Sequence, residues 1–171
     1  MRNNQPVTNE EIIPSADTVL ASRTDTGGRI LYANAAFVGI SGFTEQELIG
    51  EPHNMVRHPD MPKEAFANLW ETIKAGRPWE GLVKNRAKSG AFYWVRANVT
   101  PVTENGQVTG YLSLRSIPSR EAVRGAEQAY RSIREGTARG IGLRDGELIR
   151  TGWAARLAAM SNSIGVRMMA A

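Results

Sequence analysis

Both histidines of the chain fall inside one stretch, Pro52-His53-Asn54-Met55-Val56-Arg57-His58-Pro59-Asp60-Met61-Pro62. Three prolines brace it; each fixes φ, removes a backbone donor and restricts the residue before it. The segment is expected to be a stiff irregular connection, neither helix nor strand. Charged and aromatic-like side chains on a stiff loop are the material of binding sites. An imidazole from His53 or His58 is also a candidate axial ligand for a haem iron. An ordinary surface loop with solvated histidines carries the same residues, so the rest of the chain has to separate the two.

Little else points to catalysis. The sequence offers no nucleophile–base pair, no carboxylate cluster with metal-ligand spacing and no glycine-rich phosphate loop, so no enzyme is expected. It contains no cysteine. That excludes disulfides, cysteine-ligated zinc, iron–sulfur clusters and thiol nucleophiles.

The elements that must position the histidine segment can be read in order. A polar lead-in, residues 1–17, is expected to be a flexible cap with a short turn at Glu10–Ile13. A strand over Val19–Thr24 turns at Asp25-Thr26-Gly27-Gly28 into a second strand, Arg29–Ala33. Asn34 is placed to cap a helix over Ala35–Ile40 that Gly42 stops. Thr44 and Glu47 form a capping box for one or two further turns. After the stiff loop, with Asp60 as the expected cap, Phe66, Leu69, Trp70 and Ile73 fall on one helical face. Three strands follow: Trp79–Arg86, Phe92–Val102 and Val108–Ile117, the last pair joined by Asn105-Gly106. Alternation groups Trp79, Gly81, Val83 and Asn85 on one face, and Tyr111, Ser113 and Arg115 on one face of the last strand. The expected fold class is α+β: a five-stranded antiparallel sheet with helices on one face, over residues 18–117, and a pocket between the layers.

Residues 118–171 change character. Ser119–Glu135 reads as a helix with a weak apolar stripe, Gly136–Gly142 as a linker and Leu143–Arg150 as a small hairpin. Trp153, Leu157, Met160, Ile164 and Met168 space out as an amphipathic helix.

Composition bounds the partners. The net charge of +4, from 21 Lys+Arg against 17 Asp+Glu, is mild and spread along the 171 residues, so no nucleic-acid partner is expected. No stretch approaches the roughly 18–20 apolar residues of a membrane span. The chain reads as cytoplasmic, with any membrane contact made by segments beyond residue 171.

Several stretches carry a resemblance. They are Gly42–Gly50, Pro52–Pro62, Pro78-Trp79-Glu80-Gly81, Lys84–Gly90, Tyr93–Asn98 and Gly110–Arg115. Together they resemble the PAS sensor domain of bacterial aerotaxis receptors, closely over residues 8–117 and more loosely to Trp153. The resemblance implies non-covalent FAD between helices and sheet, whose reduction reports respiratory redox state. It also implies a homodimer, and a signal passed to a downstream region of HAMP and methyl-accepting type and through it to the chemotaxis kinase. Asn34 and Phe66 match family pocket positions, though a cap and a core residue would look the same. Asn85 offers the donor and acceptor that a flavin's pyrimidine edge requires, or pairs with a neighbouring loop. Trp79 stacks on a ring or closes the pocket mouth, or simply fills core. Arg57, His58 and His53 neutralise the diphosphate or hold adenine, or are solvated charge. Asp60 accepts ribose hydroxyls, or caps the helix. Positive charge beside the ring, from Arg57, Lys84, Arg86 or Arg115, would favour a negatively charged reduced form.

The segment Asn85–Gly90 with Tyr93-Trp94 is also similar to the flavin-edge strands of blue-light PAS photoreceptors. Their photochemistry needs a cysteine beside the ring, which is lacking here. Their asparagine after the tryptophan is Val95 in this chain. A haem-binding or cofactor-free PAS domain is the alternative reading.

Overall fold

Local signals set the first half of the fold. The structure, a computed structural model, describes residues 2–152. Strands β1 (Leu20–Thr24) and β2 (Ile30–Ala33) form a hairpin. In its turn the Asp25 carboxylate accepts from the amides of Gly27 and Arg29, both at 2.9 Å. Helix α1 (Ala35–Ser41) starts at Asn34, whose side chain accepts from the Phe37 amide, and ends at Gly42 with φ +72. That left-handed turn is cheap only for glycine. Helix α2 (Glu45–Leu48) carries the full Thr44–Glu47 capping box.

The proline-braced segment departs from expectation. His53–Val56 forms one 3-10 turn, and Arg57 makes an isolated antiparallel bridge to Asn85. Pro52 precedes the turn, where a missing backbone donor costs nothing. Helix α3 (Lys63–Lys74) is preceded by Pro62 with no side-chain cap. Asp60 lies too far ahead of its first turn to cap it and pairs instead with Lys84 at 2.8 Å.

Strands β3 (Trp79–Arg86), β4 (Phe92–Glu104) and β5 (Gln107–Ser116) complete a sheet of order β2-β1-β5-β4-β3, antiparallel throughout. The pairings Asn85–Tyr93, Val83–Val95 and Gly81–Ala97 put these residues on one face with Tyr111, Ser113 and Arg115. Cross-strand partners share a face. The core lies between this face and α1–α3, with Leu20, Ile30, Phe37, Val56, Ile73 and Val95 buried in it.

Helix α4 (Arg120–Glu135), capped by Ser119, lies on the opposite face. There Tyr130 stacks on Trp94 with centroids 6.3 Å apart and donates to the Leu82 carbonyl at 2.6 Å. Strands β6 (Ile141–Arg144) and β7 (Glu147–Arg150) form the small hairpin around Asp145-Gly146. The amphipathic helix expected over Trp153–Met168 lies outside the described residues.

The N-terminal lead-in differs from the expected free cap and turn. Its backbone pairs with the start of β4, Ile12 N to Phe92 O at 2.8 Å and Phe92 N to Glu10 O at 2.9 Å. The buried Asn4 amide donates to the Asn54 and Arg57 carbonyls at 2.9 and 2.8 Å, tying the lead-in to the histidine segment. Composition cannot reveal this, because long-range backbone pairing is blind to side-chain type.

Candidate functional site

The sheet, helix α3, the histidine segment and the β1–β2 turn at Gly27 and Gly28 line an open cleft that holds about 900 Å³ when the solvent at its mouth is counted. The sheet supplies Val83 and Asn85 from β3, Ala97 and Val99 from β4, and Tyr111, Ser113 and Arg115 from β5. Helix α3 supplies Phe66, Leu69, Trp70 and Ile73, the face that the helical period selects. The histidine segment supplies His53, Asn54, Val56 and Arg57. The lining is apolar over most of the sheet and α3, with polar groups convergent at a few points, as small-molecule sites are.

The densest polar group is built around Arg115, 2% exposed. Its guanidinium donates to the Ser22 hydroxyl, to His53 Nε2 at 2.6 Å and to the Leu20 carbonyl at 3.4 Å. It lies 4.6 Å above the Phe37 ring, on which the His53 imidazole also stacks at 5.7 Å. Among the described residues no carboxylate pairs with Arg115. Burial lowers its pKa to about 10, so it stays charged at neutral pH. Burial, and then the Arg115 charge, push His53 down to about 3. His53 is therefore neutral, and because a guanidinium can only donate, Nε2 is its acceptor and Nδ1 carries the proton.

Arg57 lies 3.5 Å over the Phe66 ring at the cavity wall, and its buried Nε has no hydrogen-bond partner. Asn85, 4% exposed, faces Tyr93 across the β3–β4 pair. The Tyr93 hydroxyl is buried without a hydrogen-bond partner, and burial raises its pKa.

Of the eight residues singled out from sequence, the fold brings His53, Arg57, Phe66 and Asn85 together around the cavity. The other four stand behind its walls. Asn34 uses its side chain on the amides of Ala21 and Phe37 and the Val19 carbonyl. His58 is 3% exposed; its Nδ1 accepts from the Asp60 amide at 3.0 Å, and its ring meets Phe92 edge-on. Burial first, and then the Lys84 charge, lower His58 to about 4. Partial burial works against ionisation of Asp60, yet the Lys84 ammonium holds its carboxyl below the usual range. Trp79, 1% exposed, neither stacks in the cavity nor closes its mouth; its indole donates to Asn68 Oδ1 at 2.9 Å in the core.

The structure also sorts the four basic candidates. Lys84 is paired with Asp60, and Arg86 is held by the Gln5 and Pro6 carbonyls. Only Arg57 and Arg115 of the four line the cavity. Sequence reading missed Ser22 as the partner of Arg115: β1 and β5 are far apart in the chain, and the Ser22–Ser113 register alone brings Ser22 beside Arg115. Neither histidine presents itself to an iron in the cavity. His53 Nε2 is engaged by Ser22 and Arg115, and His58 is outside the lining.

Among the described residues no cluster of three or more His, Asp or Glu is placed to hold a metal, and no helix is long and apolar enough to cross a membrane.

Comparison with known proteins agrees with this architecture. A family model described as the PAS fold matches residues 30–115. The aerotaxis receptor of Escherichia coli is 46% identical over 157 residues, 91% of this chain and 31% of that protein. The nitrogen fixation regulatory protein of Klebsiella pneumoniae is 30% identical over 57% of this chain and 20% of its own length. The chain thus spans about a third or less of these relatives. Among solved structures, the dark form of the blue-light photoreceptor Aureochrome1 LOV superimposes with a TM-score of 0.57 at 18% identity, over 64% of this chain and 85% of that one.

Proposed function

The chain belongs to the PAS fold family, and from that premise we propose that it is the FAD-binding redox sensor portion of an aerotaxis-type receptor. The observation that carries the reading is Arg115: a buried guanidinium at the cavity, served by neutral acceptors and, among the described residues, by no carboxylate. A buried cation without a counter-charge is costly, and a ligand that brings or acquires negative charge offsets that cost.

The residues fit a flavin dinucleotide. The apolar floor of Val83, Ala97 and Val99 and the α3 wall suit the benzenoid end of the ring, and the Asn85 amide suits its pyrimidine edge. The unpaired Nε of Arg57 is a donor for the diphosphate. Bound FAD supplies reversible electron uptake. Arg115 holds a positive field, neutral His53 packs beside it and excludes water, and the Arg115 N–H groups can shift between Ser22, His53 and a charged ligand. Asn34, His58, Asp60 and Trp79 enter as residues that position α1, the histidine segment and α3.

The expected setting is a cytoplasmic, homodimeric sensor, relaying through HAMP and methyl-accepting-type regions to the chemotaxis kinase. The haem alternative is disfavoured, since the one histidine in the cavity already spends Nε2 on two protein donors. Purification and chromatography of the extracted ligand test the proposal. A yellow protein that releases FAD supports it; a Soret band, or a colourless protein that takes up no FAD, defeats it.

A further inference from the structure

After α4 the chain returns to the sensor fold, where Leu143 packs against the core and a polar node forms around Asn68. Asn68 Oδ1 accepts both the Trp79 indole N–H at 2.9 Å and the Gly146 amide at 2.8 Å, and its Nδ2 donates to the Leu143 carbonyl at 3.4 Å. Beside it, the Asp145 carboxylate accepts from Arg77 at 3.1 Å and shares the Thr72 hydroxyl proton, at 3.2 Å, with the Asn68 carbonyl at 2.8 Å. The Asp145 carbonyl accepts from Glu80 N of the edge strand β3 at 3.0 Å. The seat is tight: Gly146 has φ +95, and a Cβ there would lie 2.2 Å from the Glu80 carbonyl oxygen.

Asn68 and Thr72 are one helical turn apart on α3, on a face next to the one that lines the cavity through Leu69 and Ile73. A packed helix moves as a rigid rod, so a change in what presses on the cavity face displaces the node. The hairpin has little order of its own, because an isolated two-stranded hairpin is marginal in water. Its structure is thus conditional on this docking.

We infer that the β6–β7 hairpin is a latch seated on α3 and β3, whose docking is coupled to the filling of the cavity. The identity of the ligand rests on the FAD reading above; the latch itself does not. Coupling between two sites is reciprocal, so by the factor that filling the cavity tightens the latch, releasing the latch weakens the ligand.

Hydrogen exchange of the full chain, followed by mass spectrometry over residues 141–150, tests this. In one arm, FAD added to flavin-free protein slows exchange there about tenfold, and Gly146→Ala removes that protection while weakening FAD binding by about the same factor. Should Gly146→Ala not fold, Asp145→Asn loosens the Thr72 and Arg77 contacts and is used in its place. In the other arm no ligand is added. Leu69→Ala, on the cavity side of α3, speeds exchange over 141–150 several-fold, whereas Leu114→Ala, exposed on β5 and outside the cavity lining, leaves it as in the parent chain. Unchanged hairpin exchange in Leu69→Ala, or unchanged FAD affinity in a variant whose hairpin has come free, overturns the latch. If FAD fails to bind, the flavin reading falls and the second arm still decides the latch.

Discussion

Lowering the pH from 7 to 5 should destabilise this protein by several kcal/mol, through its two histidines. In the fold His53 is held to about 3 and His58 to about 4, both by burial first. Unfolded, each titrates near the ordinary imidazole value of 6.5. Below that value the unfolded chain takes up protons that the folded chain refuses, so stability is full above about pH 6.5 and falls as pH drops towards the folded pKa values. At pH 5 each group contributes a loss of about 2 kcal/mol, or about 4 together, at about 1.4 kcal/mol per unit. That is a large share of the roughly 5–15 kcal/mol of a typical domain. The carboxylates held low, Asp60 and Asp145, act only at still lower pH. Urea melts at pH 7, 6 and 5 measure the loss. With only two histidines, imidazole nitrogen NMR assigns its source. His53 should carry its proton on Nδ1, since Nε2 accepts from Arg115, and His58 on Nε2, since Nδ1 accepts from Asp60 N. A flat stability profile, a His53 pKa near 6.5, or the same tautomer at both sites would refute the reasoning.

Other perturbations separate the parts of the site. Arg115→Met should raise the His53 pKa by at least about one unit, since it removes a charge and a donor 2.6 Å away, and should lower the midpoint potential of bound FAD, both read by titration. Arg57→Ala should weaken FAD binding about tenfold in a fluorescence titration, because its Nε has no hydrogen-bond partner among the described residues, while the urea midpoint falls only by the roughly 0.5–1 kcal/mol of its stack on Phe66. Val99→Phe should fill the cavity from β4 and yield a folded, colourless protein; a yellow one would move the ligand elsewhere. Thr44→Ala should cost about 1 kcal/mol by opening the α2 capping box, without altering ligand affinity.

Local chemistry made much of this fold legible. Caps at Asn34 and Thr44, left-handed glycines and the period-2 strands follow from a few residues each, which is why the α+β class and its succession of elements could be read from the chain. The grouping of Tyr111, Ser113 and Arg115 on one face, and of Phe66, Leu69, Trp70 and Ile73 on another, needed only helical and strand periods. Pairing across the chain was not legible in that way. Register alone sets Ser22 beside Arg115, draws the lead-in along β4, and puts Asp145 against Glu80. The same tertiary packing moved Trp79 from cavity to core and turned Asp60 from a cap into a partner for Lys84. Residue types in the Pro52–Pro62 stretch announced a site, but which of its charges is buried, neutral or unpaired depends on what folds over it, because burial and neighbouring charge belong to the assembled layers and not to the segment.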